Sequence, residues 1–253
     1  MPGSTLRLCF DVDDDLLAAA RECESDVFES AYGNTPEDLA KEYGPYDDAS
    51  LFIALADDDN RVMGTCRVIL PSNRGLKTLT DLSGEPWHVD GLRSARAAQI
   101  DPDSTWDVAT LGIRSELGRS GIMAAAALYH GLVAGGRANG ASSMITIIDE
   151  RVRKLLHSIG LATNILPGAF TAEYLGSAAS TPCYAHLAAV VDLQRRATPD
   201  SYRMITMGQG LAGVRVPGPE GFLMRERDRV IALPDREARP APSEPAPQQP
   251  APR

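Results

Sequence analysis

The sequence has no apolar run long enough for a signal peptide or a membrane-spanning helix. It also has no basic stripe. Its 25 Lys and Arg residues face 34 Asp and Glu residues, for a formal net charge of −9. That balance argues against non-specific binding to nucleic acid or to anionic membranes. Cysteine is scarce: Cys9, Cys23, Cys66 and Cys183 stand singly, with neither disulfide density nor metal-ligand spacing. The four histidines, His88, His130, His157 and His186, are isolated as well. The expectation is a cytoplasmic protein with no metal, no nucleic-acid partner and no membrane span. No internal repeat is visible.

What is present suits a globular core. The 253 residues are 43% hydrophobic. From about Pro234 the chain reads "PDREARPAPSEPAPQQPAPR", which buries too little apolar surface to offset its ordering entropy. The expected organisation is therefore one domain over 1–233 and a disordered tail over 234–253. Residues 13–30 predict a helix with Leu16, Leu17, Ala20, Val27 and Phe28 on one face. "NTPEDLAKEYG" predicts a second helix, capped by Thr35, opened by Pro36 and ended by Gly44. "SLFIALADDDNRVMGTCRVIL" reads as a β-hairpin. Residues 71–104 read as a long irregular excursion.

"TWDVATLGI" predicts a strand, and a Gly/Arg turn follows it. Next comes a helix over 122–137, with Ile122, Ala125, Ala126, Tyr129, Leu132 and Val133 on its apolar face. "SSMITIID" is a strand. "ERVRKLLHSIG" is a helix with Val152, Leu155, Leu156 and Ile159 on one side. "CYAHLAAVVDL" reads as a late strand, and "PDSYRMITMGQG" as a further helix. The order defines a mixed α/β (α+β) fold rather than a strict βαβ alternation.

The turn over Gly118, Arg119, Ser120 and Gly121 matches neither the dinucleotide fingerprint nor the P-loop. Placed directly before a helix, it suits an anion, because a helix start offers unpaired N–H groups and partial positive charge. Gly118, Arg119, Ser120, Gly121 and Ile122 are the candidate phosphate cradle. The alternative is a solvated loop. Asp107 lies on an apolar strand, where a carboxylate is paired or functional. It is either a base for an amine proton or the partner of Arg67 or Arg114. Arg67 holds either a substrate carboxylate or Asp47. Tyr184 and His186 share a strand face, and His186 is a proton relay or a satisfied side chain. Met204 and Met207 are read as packing residues.

The strand–turn–helix–strand–helix order resembles the cofactor half of the GNAT N-acyltransferases. "YDDASLFIALADDDNRVMGTCRVILP" looks like the segment of acyl-homoserine-lactone autoinducer synthases where Tyr-Asp precedes a hairpin. Asp47, Gly64, Arg67 and Pro71 fit that pattern, and Phe28 matches a family phenylalanine. "WDVATLGI" matches a Trp-acid strand, with Asp107 in place of glutamate. Related long-chain N-acyl amino acid synthases share the pattern.

The resemblance implies a mixed, mostly antiparallel sheet flanked by helices, with a splayed strand pair between 105–113 and 142–149. It implies an acyl-CoA or acyl-phosphopantetheine donor, the latter on an acyl carrier protein. The acceptor is an amine of an amino acid, peptide or small molecule. Asp107 is then the catalytic candidate. Ile113 and the 118–122 turn hold the donor, and Phe28, Asp47 and Arg67 hold the acceptor. The sequence departs from the pattern in four places. Ala109-Thr110 replaces Ser-Arg, Glu24 replaces an arginine, Arg119 falls one place late, and Leu156 stands where a tyrosine often serves as general acid. The first two count against S-adenosylmethionine as acceptor. The alternatives are a divergent autoinducer synthase and a non-catalytic acyl-thioester-binding protein.

Overall fold

A computed structural model describes residues 5–226. The expected tail lies outside the described residues. The chain opens with a strand absent from the sequence reading, β1 (Leu6–Phe10). Helix α1 (Asp14–Tyr32) follows and is ended by Gly33 at φ 75, a left-handed position that suits glycine. Helix α2 (Pro36–Tyr43) has the expected start: Thr35 and Asp38 form a reciprocal capping box, with Pro36 at the first position. Gly44 does not end it in the expected way. It is right-handed, and the chain runs on into a 3₁₀ segment, Gly44–Ala49.

The hairpin is present as β2 (Ser50–Ala56) and β3 (Val62–Ile69), and both strands are buried along their whole length. The excursion over 71–104 is not irregular. It forms α3 (Lys77–Leu82) and α4 (Gly91–Ala97) around a core of Leu76, Leu79, Leu82, Trp87, Ala95 and Ile100. Both helices are shorter than two full turns, too short for a 3.6-residue period to stand out. Then come β4 (Thr105–Ile113), α5 (Gly121–Ala138), β5 (Ser143–Asp149) and α6 (Glu150–Ser158). Short strands β6 (Asn164–Ile165) and β7 (Ala172–Tyr174) precede β8 (Ser177–His186).

The late strand ends at His186, and "LAAVVDL" is instead the start of α7 (Leu187–Ala197). Leu187, Val190 and Gln194 are its buried residues, a helical spacing that the valines disguise as strand. Short helical segments over 199–206 precede β9 (Val214–Arg215).

The described residues form a nine-stranded sheet in the order β6-β8-β5-β4-β3-β2-β1-β9, with β7 also on β8. Pairing is antiparallel except for β4–β5 and β1–β9. Strand alternation sends Leu51, Ile53 and Leu55 to the α5 face, and Phe52 and Ala54 to the α1 face. Glycine brings α5 close to the sheet: a Cβ on Gly135 would meet the Phe10 ring at 2.2 Å. Two residues expected on buried helix faces are exposed, Ile122 at 69% and Leu155 at 56%. Ile122 lies at the open start of α5. Leu155 lies on α6, where Leu156 alone is buried.

Candidate active site

Two irregularities of β4 create the site. Arg67 faces Thr110 and Val68 faces Val108, so Ala109 is an extra residue on β4, a β-bulge. On the other edge, β4 pairs with β5 only from Thr105–Ser143 to Asp107–Ile145. Beyond Asp107 the two parallel strands part. The splayed pair expected from the resemblance is present. Thr146 Oγ1 donates to the Val108 carbonyl at 2.8 Å and spans the base of the V.

An apolar cavity of about 210 Å³ fills the gap. It reaches both faces of the sheet, from Phe28, Tyr32 and Tyr43 on the α1–α2 side to Tyr129, Leu132 and Val133 of α5. Val108 to Leu111 form one wall, and Thr146 to Asp149 the other. Leu156, where the resemblance implies a tyrosine, contributes an apolar side chain. Among the lining residues the one charged side chain is Asp149. It ends β5 and caps α6: Arg151 N–H donates to Oδ1 and Ser177 Oγ donates to Oδ2, each at 2.8 Å. Burial first, and the Asp149 charge second, push the Tyr32 hydroxyl pKa up.

The sequence candidates divide. Phe28 lines the cavity. Arg67 and Asp47 are joined, Nη1 to Oδ1 at 2.9 Å, which is the ion-pair reading of Arg67. The sequence reading missed the stronger partner. Glu24 takes Arg67 Nε at 3.0 Å and Nη2 at 2.6 Å, and it also accepts Thr110 Oγ1. Glu24 and Thr110 occupy two of the departing positions, so these departures form one hydrogen-bonded unit. The guanidinium is also held over the Phe52 and Tyr43 rings, at 4.7 and 4.9 Å from their centroids. Burial alone lowers the Arg67 pKa, but the two carboxylates more than offset this and raise it.

Asp107 does not meet Arg67 or Arg114. Arg114 pairs with Asp26, and Asp107 is 1% exposed beneath α3. Thr78 N–H donates to Oδ2 at 2.6 Å, and Thr78 Oγ1 donates to Oδ1 at 2.8 Å. Asp107 is not among the cavity-lining residues. Burial pushes its carboxyl from 3.8 up to about 7, against the opposing pull of the Thr78 bonds and Lys77. The folded state therefore holds this proton more tightly than the unfolded chain does. The site's contribution to stability falls as pH rises from 3.8 to about 7 and is level above. Asp107→Asn fits both Thr78 bonds and cannot titrate. We expect the stability difference, variant minus parent, to climb through that window and then flatten. Urea midpoints across the window check this, and a flat difference would show that Asp107 does not titrate there.

The turn before α5 is exposed, and Gly118 holds φ +49. Among the described residues no side chain caps the start of α5. Gly121 N–H is already bonded to the Gly118 carbonyl, so it is not a free donor of the expected cradle. Ile122 and Met123 follow within the first turn, where N–H groups have no i−4 partner. A Cβ on Gly121 would meet only Ile113 and Leu117, at 4.0 Å, so internal packing does not demand glycine there. Arg114 N–H donates to Met63 on β3, which turns the Ile113 N–H toward the open side of β4. Ile113 lies two residues beyond Leu111, the last cavity-lining residue of its strand. His186 is satisfied by Ser143 Oγ at 2.8 Å and the Ala98 carbonyl at 3.2 Å. Tyr184 lines the cavity. Met204 packs against the main core, whereas Met207 is 48% exposed. No helix among the described residues is long and apolar enough to cross a membrane.

No protein-family model matches the sequence, and the search of curated proteins found no match to it. Solved structures are similar. One is FeeM, an N-acyl amino acid synthase from uncultured soil microbes, with TM-score 0.57 and 12% identity over 75% of this chain and 94% of that one. A second is BjaI, a CoA-dependent acyl-homoserine lactone synthase, with TM-score 0.55 and 16% identity over 91% of this chain and 99% of that one. A third is the AHL synthase LasI, with TM-score 0.50 and 14% identity over 73% and 91%. At these identities the likeness is one of fold. The chain has a GNAT-like N-acyltransferase fold. Within it, the architecture is that shared by the N-acyl amino acid and acyl-homoserine lactone synthases.

Proposed function

We propose that the protein is an N-acyltransferase that moves an acyl group from a pantetheine thioester to an amine. The observation that carries this reading is the apolar cavity running through the gap where β4 leaves β5. A pantetheine arm is an extended chain with amide groups, and unpaired strand edges offer it matching donors and acceptors. The acyl chain takes the apolar space beside Leu132, Val133 and Met144. A free N–H on the open edge of β4, at Ile113 or a neighbour, polarises the thioester carbonyl. The amine nitrogen attacks that carbon, the C–S bond breaks, and the thiolate leaves with one proton from the nitrogen.

The donor phosphates sit on the start of α5, where Arg119 and Ser120 are exposed and the first-turn N–H groups of Ile122 and Met123 have no side-chain cap among the described residues. The donor is acyl-CoA or an acyl-phosphopantetheine on a carrier protein. BjaI is CoA-dependent and was solved with isopentyl-CoA, which supports the first. Asp107 would have to release Thr78 to reach an amine, so we read it as the residue that holds α3 beneath the site.

We expect Arg119→Ala to weaken acyl-CoA affinity about tenfold to a hundredfold, the range of one charge-assisted hydrogen bond. Gly121→Val should do at least as much harm, since its bulk enters the space above the helix start. Calorimetry with acyl-CoA, and release of free thiol with candidate amines, test the reading. Unchanged affinity in both variants would return the turn to a solvated loop. Binding without thiol release for any amine would favour an acyl-thioester-binding protein.

A further inference from the structure

Among the described residues that line it, the cavity carries one carboxylate and no cation, and that pattern selects the acceptor. Among the described residues, every basic side chain near its α1–α2 mouth is already neutralised or in solvent. Arg67 has one guanidinium edge on Glu24 and a further N–H on Asp47, and it is 5% exposed. Lys77 is held by Glu42, Asp81 and the Tyr174 hydroxyl and is 4% exposed. Arg21 is paired with Asp47. Arg151 lends its backbone N–H to Asp149, but its side chain is exposed and does not line the cavity. A substrate carboxylate entering here would find no cation among the described lining residues and would face Asp149. Burying an unpaired charge is costly, and like charges add to that cost.

The same mouth suits a cation. A carboxylate offers about four lone-pair sites. Arg151 N–H and Ser177 Oγ occupy two of those on Asp149, one on each oxygen. Tyr32 feels the Asp149 charge and, as a smaller opposing effect, that of the exposed Arg151, and its ring lies 5.6 Å from that of Phe28. Both rings line the cavity, as does Tyr43. A carboxylate beside aromatic faces is a setting for an ammonium group.

We propose that the acceptor is a primary amine without a carboxylate, and that Asp149 binds its ammonium group and takes its proton. This rests on the acyltransferase reading above and narrows it. The ammonium loses one proton to Asp149, which passes it to water. The neutral nitrogen then forms the C–N bond as the C–S bond breaks, and its second proton goes to the departing sulfur. The products are an amide and a free thiol.

The test compares two molecules that differ only in the carboxylate, 2-phenylethylamine and phenylalanine. Calorimetry reads acceptor binding without any donor, and thiol release with acyl-CoA reads transfer. The amine should bind roughly tenfold or more tightly than the amino acid, and be acylated in preference to it, on the scale of one charged hydrogen bond. Asp149→Asn keeps the α6 cap, because asparagine caps as well as aspartate. It should lose amine binding by a similar factor and leave acyl-CoA affinity unchanged. Asp149→Glu should restore part of the binding, and Arg151→Ala should leave the preference intact. Equal or tighter binding of phenylalanine, or full amine binding by Asp149→Asn, overturns the proposal. If acyl-CoA still binds and amino acids are acylated, the acyltransferase reading stands without it. If neither acyl-CoA binds nor thiol is released, that reading falls and the acceptor proposal falls with it, and the binding comparison then reports only whether the mouth prefers an ammonium group to an amino acid.

Discussion

Glu24→Ala is expected to destabilise the protein by about 3–5 kcal/mol, the usual cost of breaking a buried ion pair from one side. Glu24 is 1% exposed and Arg67 5%, so water does not replace the lost carboxylate. The variant leaves Arg67 Nε and Nη2 without acceptors and also strands the Thr110 hydroxyl. Asp47 keeps Nη1, which holds the loss within that range rather than above it. The position lies on α1 where the helix crosses β3 and β4, so the strain falls on the wall of the site. Urea denaturation with an unchanged slope measures it. Removing both charges, as Glu24→Leu with Arg67→Met, should recover most of the loss, because the pair costs about as much to desolvate as it returns. A single-variant loss below about 1 kcal/mol would mean that solvent reaches Arg67.

Trp106→Ala is the second large effect, again about 3–5 kcal/mol. Trp106 is 2% exposed, and its ring stacks on Phe10 at 6.2 Å with an 18° interplanar angle. It pairs with Met144 in the short closed stretch of β4 and β5, two residues before the cavity wall begins at Val108. Its loss opens a void at the hinge of the V. Acyl-CoA affinity should therefore fall together with stability, whereas a core substitution remote from the splay should lower stability alone. Parallel melting and binding measurements separate the two. Retained affinity in a folded Trp106→Ala variant would show that the gap does not depend on this residue.

The local elements around the site were legible because they are written in short-range chemistry. The Thr35–Pro36 start, the β2–β3 hairpin, β4 and the long α5 each follow from capping, turn and periodicity signals carried within the element. The excursion over 71–104 misled because α3 and α4 are too short to show a period, and because their core is completed by Ile145 and Leu166 from elsewhere in the chain. α7 misled for a similar reason: valines favour strands, and only its packing against neighbouring elements decides for helix.

The site itself was half legible. Phe28 and the Arg67–Asp47 pair were named from the sequence, and Glu24 was marked as a departure. Its bond to Arg67 spans 43 positions in the chain, which no local pattern encodes. Asp149 was not named at all. A carboxylate between a strand and a helix reads as a cap, and it is one. That it also lines a cavity follows from the divergence of β4 and β5, 38 residues apart at their first pair.

By itself, the sequence determined the chemical character of this protein: an acidic chain with an apolar core, a hairpin, a strand carrying one carboxylate, and a Gly/Arg turn before an alanine-rich helix. Those follow from residue types and their neighbours within a few positions. Only the tertiary structure decided which charges cancel and which remain. Charge pairing in a buried place depends on distances of a few ångströms between segments far apart in the chain. Thus Arg67 is spent on Glu24, Asp107 on Thr78, and Asp149 is left as the one charged side chain among the described residues lining the cavity.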